Sequence, residues 1–434
     1  QESRGLGDVY KRQGLCRCRA WATSVWPAAG PLPDVHHVII VPNYREPLAV
    51  LQRTLQALAQ QEDARRHLTV VLAMEERERN YQAKAQALRA RFGRCFAHFL
   101  VTHHPANLPG DVPGKGSNQA WAARQAKREL VDRLGLPIER MTLTTCDADS
   151  LLHPRYFAAV ARLFSQDERR HRRIWYAPLF YGNNIWQVPA PIRLLSFAAG
   201  AARLGELANP LFWSLPISTY TMSFQLADEV GYWDPAVVSE DWHMHLRCFF
   251  ATGGESSLIA VYLPTSADTV GGETTWEALH NYYVQQTRHA WGAEDVGYAL
   301  QQWRRSPDTP AHKKLFCLLW VLHHHLLRST SWFILALGSL VSVLAGAPAI
   351  ILHSQSLHPA VIRSINVLGF AAAVTIWASE RTRLRSRSQG AQALALAEEI
   401  AAWALLPLIT LLFTALPGLH AQTRLMVGAP LPFR

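Results

Sequence analysis

The sequence predicts an α/β protein with a mostly parallel sheet, followed by a membrane region of apolar helices. Short apolar β-type runs alternate with helical patterns between residues 35 and 146, which is typical of a doubly wound parallel sheet. The last third contains apolar stretches at 331–352, 360–377 and 402–416. Each is a candidate membrane span, the third together with its apolar flanks. The near-zero mean hydropathy therefore averages a polar and an apolar part.

The amino-acid composition limits which kinds of molecule the protein is expected to bind. The 434 residues carry 43 Lys plus Arg against 33 Asp plus Glu, a formal charge of +10. Arginines beside apolar spans are more typical of the cytoplasmic side of a membrane than of nucleic-acid binding, so we expect no nucleic acid. The six cysteines are scattered and only Cys16 and Cys18 are close. This spacing indicates no disulfide framework or zinc site, and reduced thiols fit a cytoplasmic protein.

We divide the chain into three predicted regions. Residues 1–34 are expected to be an artefactual or truncated segment, because the chain begins Gln-Glu-Ser-Arg-Gly and has no apolar run typical of a secretory signal. Residues 35–311 should form a cytoplasmic α/β domain. Residues 312–434 should form a membrane region with about three transmembrane helices.

The elements of the α/β domain follow from hydrophobic periodicity. Continuous apolar runs predict buried strands, and spacings of three and four predict the helices between them. The predicted strands are 36–42, 68–74, 97–102 and 141–146, and the predicted helices are 48–60, 75–92 and 117–134.

The fourth predicted strand ends in Asp147-Ala148-Asp149. Ligands of open α/β sheets bind beyond the carboxyl ends of strands, and two carboxylates there suit a divalent cation that holds a diphosphate. An Asx turn or a helix cap would use the same residues. Leu151 and Leu152 resume a helical pattern after the pair.

Five motifs between residues 38 and 291 occur in an order that resembles the family 2 glycosyltransferases, in particular their membrane-bound cellulose-synthase-like and hyaluronan-synthase-like branch. The motifs are Val41-Pro42-Asn43-Tyr44-Arg45-Glu46-Pro47, Gly114-Lys115-Gly116-Ser117-Asn118, Asp147-x-Asp149, Ser239-Glu240-Asp241-Trp242 and Gln285-Gln286-Thr287-Arg288-His289.

This resemblance implies a GT-A type nucleotide-binding domain that transfers a sugar with inversion and with Mg²⁺ or Mn²⁺. The donor would be a nucleotide sugar, a UDP-sugar first of all. The acceptor would be a lipid-linked sugar or a polysaccharide. Membrane lipid is the further expected partner, because the protein would be integral to a plasma or inner membrane with its catalytic domain in the cytoplasm.

The first two motifs supply donor-binding residues. Tyr44 can stack on a nucleobase and Glu46 can accept hydrogen bonds from the base or ribose, although a Pro-bounded turn would look alike. The resemblance implies an acidic residue at the end of the second strand, where Glu75 and Glu76 both stand. Lys115 lies between glycines, which let the backbone approach a phosphate, and the resemblance assigns it to the diphosphate.

The two acidic motifs carry the expected chemistry. The resemblance places Asp147 on the nucleotide side and beside the metal, and Asp149 on the metal. It assigns Asp241, with Glu240 beside it, to removing the proton from the acceptor hydroxyl, which is general-base chemistry. The same Ser239-Glu240-Asp241 run would also serve as a helix N-cap followed by acidic residues.

The last motif matches the start of a Gln-x-x-Arg-Trp pattern on a helix expected from about residue 275. Gln285 and Arg288 share a helical face and Arg288 can pair with a diphosphate, and Gln286 is included as substrate-binding. His289 stands where the pattern has Trp, and Trp291 follows two residues later. We include Trp291 as an acceptor-side candidate, and the departure weakens the expectation of processive polymer synthesis.

Membrane contact is expected at two further places. Residues 186–213 could form an interfacial helix or a core helix. The amphipathic run 315–328 with His323, His324 and His325 favours an interfacial helix over a metal site, and the arginines at 381–387 predict a cytoplasmic loop.

The alternatives to an enzyme are a membrane scaffold that keeps the fold without catalysis and a soluble nucleotide-binding module with a large apolar core.

Overall fold

A mixed β-sheet forms the centre of the α/β domain. The computed structural model describes residues 32–209, 213–344 and 389–429, with isolated residues between 371 and 378. Seven of the described strands form this sheet, in the order β3-β2-β1-β4-β8-β6-β9. These strands are β1 His36–Pro42, β2 Leu68–Glu75, β3 His98–His104, β4 Met141–Thr145, β6 Arg173–Tyr176, β8 Tyr220–Ser223 and β9 Ser257–Ala260.

The direction of the strands confirms a mostly parallel sheet. β1 pairs in parallel with both β2 and β4, and β2 pairs in parallel with β3. β8 runs antiparallel to β4 and β6, so the sheet is mixed beyond β4. The carboxyl ends of β1, β2 and β4 therefore meet at one edge, where ligands of open α/β sheets bind.

Helices cover both faces of the sheet, as the alternating pattern predicts. Apolar residues of β1 and β2 point alternately into two core clusters, with Ile39 and Val70 in one and Val38 and Val71 in the other. The helices of the domain are α1 Leu48–Ala59, α2 Ala64–His67, α3 Tyr81–Phe92, α4 Lys115–Lys127, α5 Tyr156–Gln166, α6 Ala190–Ala208, α7 Phe224–Glu229, α8 Glu240–Ala251, α9 Thr275–Ala290 and α10 Glu294–Arg305.

Several predicted boundaries were wrong. The helix predicted from residue 75 begins at Tyr81, because Glu75 ends β2 and the turn after it is held by a Glu78 N–H bond to the Glu75 carbonyl, 3.1 Å. β3 extends to His104, two residues beyond its prediction. The predicted helix 117–134 is a regular α-helix only over α4 and then continues as a π-helical turn, Arg128–Arg133.

A second small sheet lies beside the acidic pair. It consists of β5 Leu151–Leu152, β7 Leu179–Phe180 and β10 Thr265–Ser266, in the order β5-β10-β7. The helical continuation predicted at Leu151 and Leu152 is therefore wrong. Their pairing with β10 overrides the local pattern, and it brings the residues after Ser266 next to Asp149.

The segment 186–213 contains α6. Its large apolar side chains are buried on both sides: Leu204 and Leu207 lie in the sheet core, while Ile192 and Leu194 pack with Ile409 and other C-terminal residues. The helix thus joins the α/β domain to the C-terminal helices. Its role at a membrane interface stays a prediction.

The C-terminal part begins with one long helix, α11 Ala311–Leu344, which includes the run 315–328. It continues, in the described residues, with α12 Gln389–Ala404, α13 Leu406–Thr410, a π-helical turn Leu411–Ala415 and α14 Leu416–Met426. The predicted span 402–416 is thus divided among several segments. Most of the predicted span 360–377, the end of 331–352, the arginine loop 381–387 and residues 1–31 lie outside the described residues.

No single helix in the described ranges is long and apolar enough to cross a membrane. The bent pair Ala393–Ala404 and Leu406–Met426 meets the length and composition requirement only together, across a bend of 73°.

An ion-pair cluster fastens α12 to α6. The buried Arg193 contacts Glu398 at 2.7 Å and Glu399 at 3.4 Å, and it donates to the Val188 carbonyl at 2.8 Å. The indole of Trp377 donates to Glu399 at 3.1 Å. Glu398 and Glu399 thus hold the C-terminal helices against the α/β domain.

Candidate active site

Lys115 is the centre of the candidate site. Its ammonium lies 2.8 Å from Asp147 Oδ1, 2.8 Å from Glu240 Oε1 and 3.4 Å from Asp241 Oδ1. Burial alone would lower the pKa of Lys115, but the negative charges of the three carboxylates outweigh it and raise the pKa well above its ordinary value. Residues from three separate motifs, far apart in sequence, thus meet around one ammonium group.

Gly116 allows the helices that carry Lys115 and Glu240 to come this close. A Cβ at this position would lie 3.1 Å from Glu240 Cβ, 3.4 Å from the Asp234 carbonyl oxygen and 3.5 Å from that of Val237. The absent side chain allows the first turn of α4 to lie directly against the first turn of α8. The glycine next to Lys115 therefore serves helix contact as well as any approach of a phosphate.

Asp241 is held from the side opposite Lys115. Its Oδ2 accepts a 2.7 Å hydrogen bond from the backbone N–H of Ser218, a residue with a left-handed φ of 65° that is uncommon outside glycine. Burial, followed by the charge of Glu240, raises the pKa of Asp241 to about 8 against the opposing effect of Lys115. A carboxyl whose pKa lies near neutral pH can act as a general base in its ionised form.

Ser239 does not act as the predicted side-chain cap of α8. It occupies the N-cap position, but its side chain makes no capping bond. Its hydroxyl donates instead to the Arg288 carbonyl at 3.3 Å. The contact connects the start of α8 to the end of α9.

Asp149 lies beside a further carboxylate, Asp268. Asp149 Oδ2 accepts a 3.1 Å bond from the Asp268 N–H, and Arg53 pairs with the Asp268 carboxylate at 2.7 Å. Burial, then the charges of Asp147 and Asp268, raise the pKa of Asp149 to about 7. Burial and the charge of Asp147 raise the pKa of Glu46 as well.

The oxygen donors at this edge fit Mg²⁺ or Mn²⁺. Within the described ranges, no group of three or more His, Cys, Asp or Glu side chains is placed to hold a metal ion. A hard cation can be bound by one or two carboxylates and completed by substrate phosphates and water. Asp147 and Asp149 are the two carboxylates that would hold it. The excess negative charge around Asp149 is the physical reason that a cation would be favoured there.

A second acidic network lies at the ends of β2 and β3. Glu75 is buried, accepts from Arg77 Nε at 3.2 Å and lies 3.2 Å from His104 Nδ1, whose Nε2 lies 3.1 Å from Asp111 Oδ2. Burial lowers the pKa of His104, but its bonds to Glu75 and Asp111 raise it above the ordinary value. Glu76 is exposed. The geometry thus favours Glu75 of the two acidic candidates at the strand end.

Tyr44 lies beside this network. The Arg77 guanidinium carbon lies 4.6 Å from the centre of the Tyr44 ring. The loop after β1 is held by Glu78, which accepts from Asn43 Nδ2 at 3.0 Å and from the Arg45 N–H at 2.9 Å. Tyr44 and Glu75 thus lie near one arginine, on the side of the sheet edge away from Asp241.

The predicted substrate-binding residues on α9 and just after it differ in how exposed their side chains are. Arg288 is exposed, and Gln285 is half-buried. Gln286 is occupied by Arg328, whose Nη2 donates to Gln286 Oε1 at 2.6 Å. Trp291 is buried against Ala421, Val238 and Leu425, so this side chain packs in a core cluster rather than lining an open acceptor site.

His289 follows Arg288 near the end of α9. Desolvation, followed by the positive charges of Arg328, Arg288 and Lys115, lowers its pKa. The histidine that stands in place of the motif's Trp therefore has three cations around it.

A buried ion pair fixes the first turns of α8 and α10 together. His243 Nδ1 lies 2.7 Å from Asp295 Oδ1, and the side chains are only 4% and 0% exposed. The bonds of His243 to Asp234 and Asp295 outweigh burial and raise its pKa to about 9. His243 is two residues after Asp241 on α8, so the pair stabilises the turn that carries Asp241.

Sequence reasoning missed Ser218, Asp268 and the His243–Asp295 pair. None belongs to a local motif. Asp268, two residues after a short strand, is the one with a positional signal, because acidic residues that follow strands are candidates for site residues.

The sequence profile described as "Glycosyl transferase family group 2" matches residues 143–415, which include the acidic pair, α8 and α9. No curated protein matches the chain.

Solved structures give distant likenesses over most of the chain. A mannosyltransferase, PcManGT from Pyrobaculum calidifontis in complex with GDP-Man and Mn²⁺, is 14% identical with a TM-score of 0.47, covering 93% of this chain and 98% of that chain. S. aureus TarS in complex with UDP is 13% identical with a TM-score of 0.41, covering 92% and 94%. GalNAc-T7 with UDP, GalNAc and Mn²⁺ is 12% identical with a TM-score of 0.34, covering 54% and 44%.

Proposed function

This chain is a glycosyltransferase of glycosyl transferase family group 2, and we propose that it transfers a sugar from a nucleotide sugar to an acceptor hydroxyl with inversion, using Asp241 as the base. The observation that carries the proposal is the convergence of Lys115, Asp147, Glu240 and Asp241, with Lys115 within 3.4 Å of all three carboxylates. This arrangement provides a cation for a diphosphate next to a carboxylate for a hydroxyl proton.

Donor binding begins at the ends of β1 and β2. Tyr44 would stack on the nucleobase, while Glu75, held by Arg77 and His104, would accept its N–H donors. Glu46, near Asp147, would face the ribose. Once a diphosphate is bound, Lys115 would exchange part of its contact with the carboxylates for phosphate oxygens, and the exposed Arg288 would approach from α9.

Asp147 and Asp149 would hold Mg²⁺ or Mn²⁺, which, when bound, offsets the charge that develops on the leaving nucleoside diphosphate. Asp241 would take the proton of the acceptor hydroxyl while that oxygen attacks the anomeric carbon. The Ser218 N–H keeps one carboxylate oxygen of Asp241 in place, so the other oxygen, released by Lys115, is free to accept the proton. Glu240 would remain near Lys115 and keep a negative charge beside its ammonium group.

A panel of nucleotide sugars tests the donor class. We expect membranes containing the protein to transfer sugar from one donor, UDP-sugars being the first to try, and to form a product detectable by mass spectrometry. An inactive scaffold would bind nucleotide without releasing nucleoside diphosphate from any donor. The Asp241→Asn variant is the matched control for background activity.

We further propose that the protein works at the cytoplasmic surface of a plasma or inner membrane, as in the membrane-bound branch of the family, on a lipid-linked or polysaccharide acceptor. In domain terms, residues 35–311 would be catalytic and 312–434 would contact the membrane. Support comes from α11, where Leu319, Leu322 and Leu326 are 53%, 41% and 51% exposed on one helical face. An exposed apolar helical face of this kind suits insertion at a membrane interface.

Vesicle flotation tests this membrane contact. We expect the Leu319→Glu, Leu326→Glu double variant to lower binding to anionic vesicles by about tenfold or more, because it removes two exposed leucines from the apolar face. Leu134→Glu is the matched control, since Leu134 is 42% exposed but lies in the α/β domain. Equal flotation of wild type and double variant would place the membrane contact elsewhere or remove it.

A further inference from the structure

His104, the last residue of β3, lies between two carboxylates. Its Nδ1 lies 3.2 Å from Glu75 Oε2, and its Nε2 lies 3.1 Å from Asp111 Oδ2. An ionised carboxylate can only accept hydrogen bonds, so each ring nitrogen must carry a proton to bond its neighbour. With both carboxylates ionised, this geometry requires the imidazolium form of His104.

The surroundings of His104 balance its charge and keep it from water. Arg77 Nη2 lies 3.1 Å from the same oxygen of Glu75, so two cations face two carboxylates. The indole of Trp121 on α4 packs edge-on against the imidazole, with 6.1 Å between the ring centres. The side chain of His104 is only 4% exposed. Burial opposes its charge, yet the bonds to Glu75 and Asp111 raise its pKa above the ordinary value.

Asp111 ties this histidine to the loop 105–114, which leads directly to Lys115 at the start of α4. The next backbone N–H, that of Val112, donates to the Pro235 carbonyl at 2.8 Å, in the segment before α8. The loop thus connects the end of β3 with the two helices on which the proposed diphosphate and base residues lie.

We propose that His104 is a positioning residue for the donor. As an imidazolium it fixes the Glu75 carboxylate that would meet the nucleobase, and through Asp111 it holds the loop that places Lys115 at the diphosphate. The inference rests on the proposed function, because Glu75 and Lys115 are assigned there to the donor. His104 itself needs no contact with the nucleotide.

The protonation of His104 makes donor binding depend on pH. Loss of the proton turns one ring nitrogen into an acceptor that faces a carboxylate oxygen, and it leaves two carboxylates against Arg77 alone. Because the pKa of His104 is raised, the network is complete below that pKa and is lost as the pH rises through it. We therefore expect the affinity for nucleoside diphosphate to fall with rising pH.

Calorimetry on the full chain with Mg²⁺ present, between roughly pH 6 and pH 8.5, measures this dependence with UDP or GDP, whichever binds. We expect the affinity of wild type to fall by about tenfold over this range. His104→Gln can donate to only one carboxylate and carries no charge, so it should bind about tenfold more weakly at the lower pH and lose this fall. His103→Gln is the matched control, because it changes the exposed neighbouring histidine of β3 and should behave like wild type.

Asp111→Asn separates charge from packing. Its side-chain oxygen can still accept from His104 Nε2, but the negative charge that supports the imidazolium is gone. The fall in affinity should therefore move to lower pH, while the affinity below that pH stays close to that of wild type. A purely structural role of His104 would leave the position of the fall unchanged. Asp149, Asp241 and the diphosphate titrate alike in every variant and cancel in the comparison.

A pH profile like that of wild type in both His104→Gln and Asp111→Asn would overturn the role of His104, even if both variants bound more weakly, because lost packing would explain the weaker binding. No nucleotide binding by wild type would overturn the donor assignments of Glu75 and Lys115, and this inference with them. Nucleotide bound with the expected pH profile, but no product in the donor panel, would overturn the proposed transfer and leave this inference standing.

Discussion

Asp241→Asn is expected to lower the rate of sugar transfer by about 10²–10⁴-fold, the usual cost of removing a general base. The asparagine keeps the size of the side chain, and its oxygen can still accept the hydrogen bond from the Ser218 N–H. It cannot accept the proton of the attacking hydroxyl. Transfer should therefore collapse while the fold is kept.

Nucleoside diphosphate affinity separates this loss from a binding defect. Asp241→Asn should bind the nucleotide almost normally, whereas Lys115→Ala and Arg288→Ala should weaken binding, since each removes a cation from the diphosphate. The measurements are nucleotide affinity and transfer rate for all three variants. Near-normal transfer by Asp241→Asn would end its assignment as the base and leave Glu240 as the carboxylate to test.

Asp149→Asn, and EDTA added to the wild type, should each reduce transfer by on the order of a hundredfold or more, because both remove the charge that offsets the developing negative charge on the leaving diphosphate. Asp149 is the partner of the Asp268 N–H, and an asparagine oxygen can keep that bond. The loss should therefore come from the missing charge and not from a displaced loop.

Mn²⁺ binding, followed by electron paramagnetic resonance with nucleoside diphosphate present, gives a readout independent of turnover. We expect the signal of bound Mn²⁺ in wild type and in Asp132→Asn, a change at an exposed aspartate, and its loss in Asp149→Asn. Full transfer in excess chelator would contradict the metal assignment, and Mn²⁺ bound equally by Asp149→Asn would assign the ion to other ligands.

Secondary structure near the site followed from local pattern. β1 and β4 were predicted within one residue of their observed bounds, and α9 begins at the predicted residue, Thr275, because buried strands and amphipathic helices each have a periodicity of their own. The acidic pair was predicted at a strand end for the same reason. At Leu151 and Leu152 the local pattern misled, since pairing with β10 decided their conformation.

The roles of Gln286 and Trp291 show where a motif is insufficient. Both were candidates for substrate contact, yet Gln286 accepts from Arg328 and Trp291 is 7% exposed in a core cluster. Their partners lie on the C-terminal helices. A pattern within α9 contains no information about which helix will pack on it.

By itself, the sequence determined the α/β class, the order of the first four strands along the chain and the identity of Lys115, Asp147, Asp149 and Asp241 as candidates. The tertiary structure alone decided that Lys115 lies among the carboxylates, that Ser218 holds Asp241 and that Asp268 lies beside Asp149. The physical reason is that periodicity reports which face of an element is buried, whereas these contacts join residues 23 to 126 positions apart through strand order and helix packing.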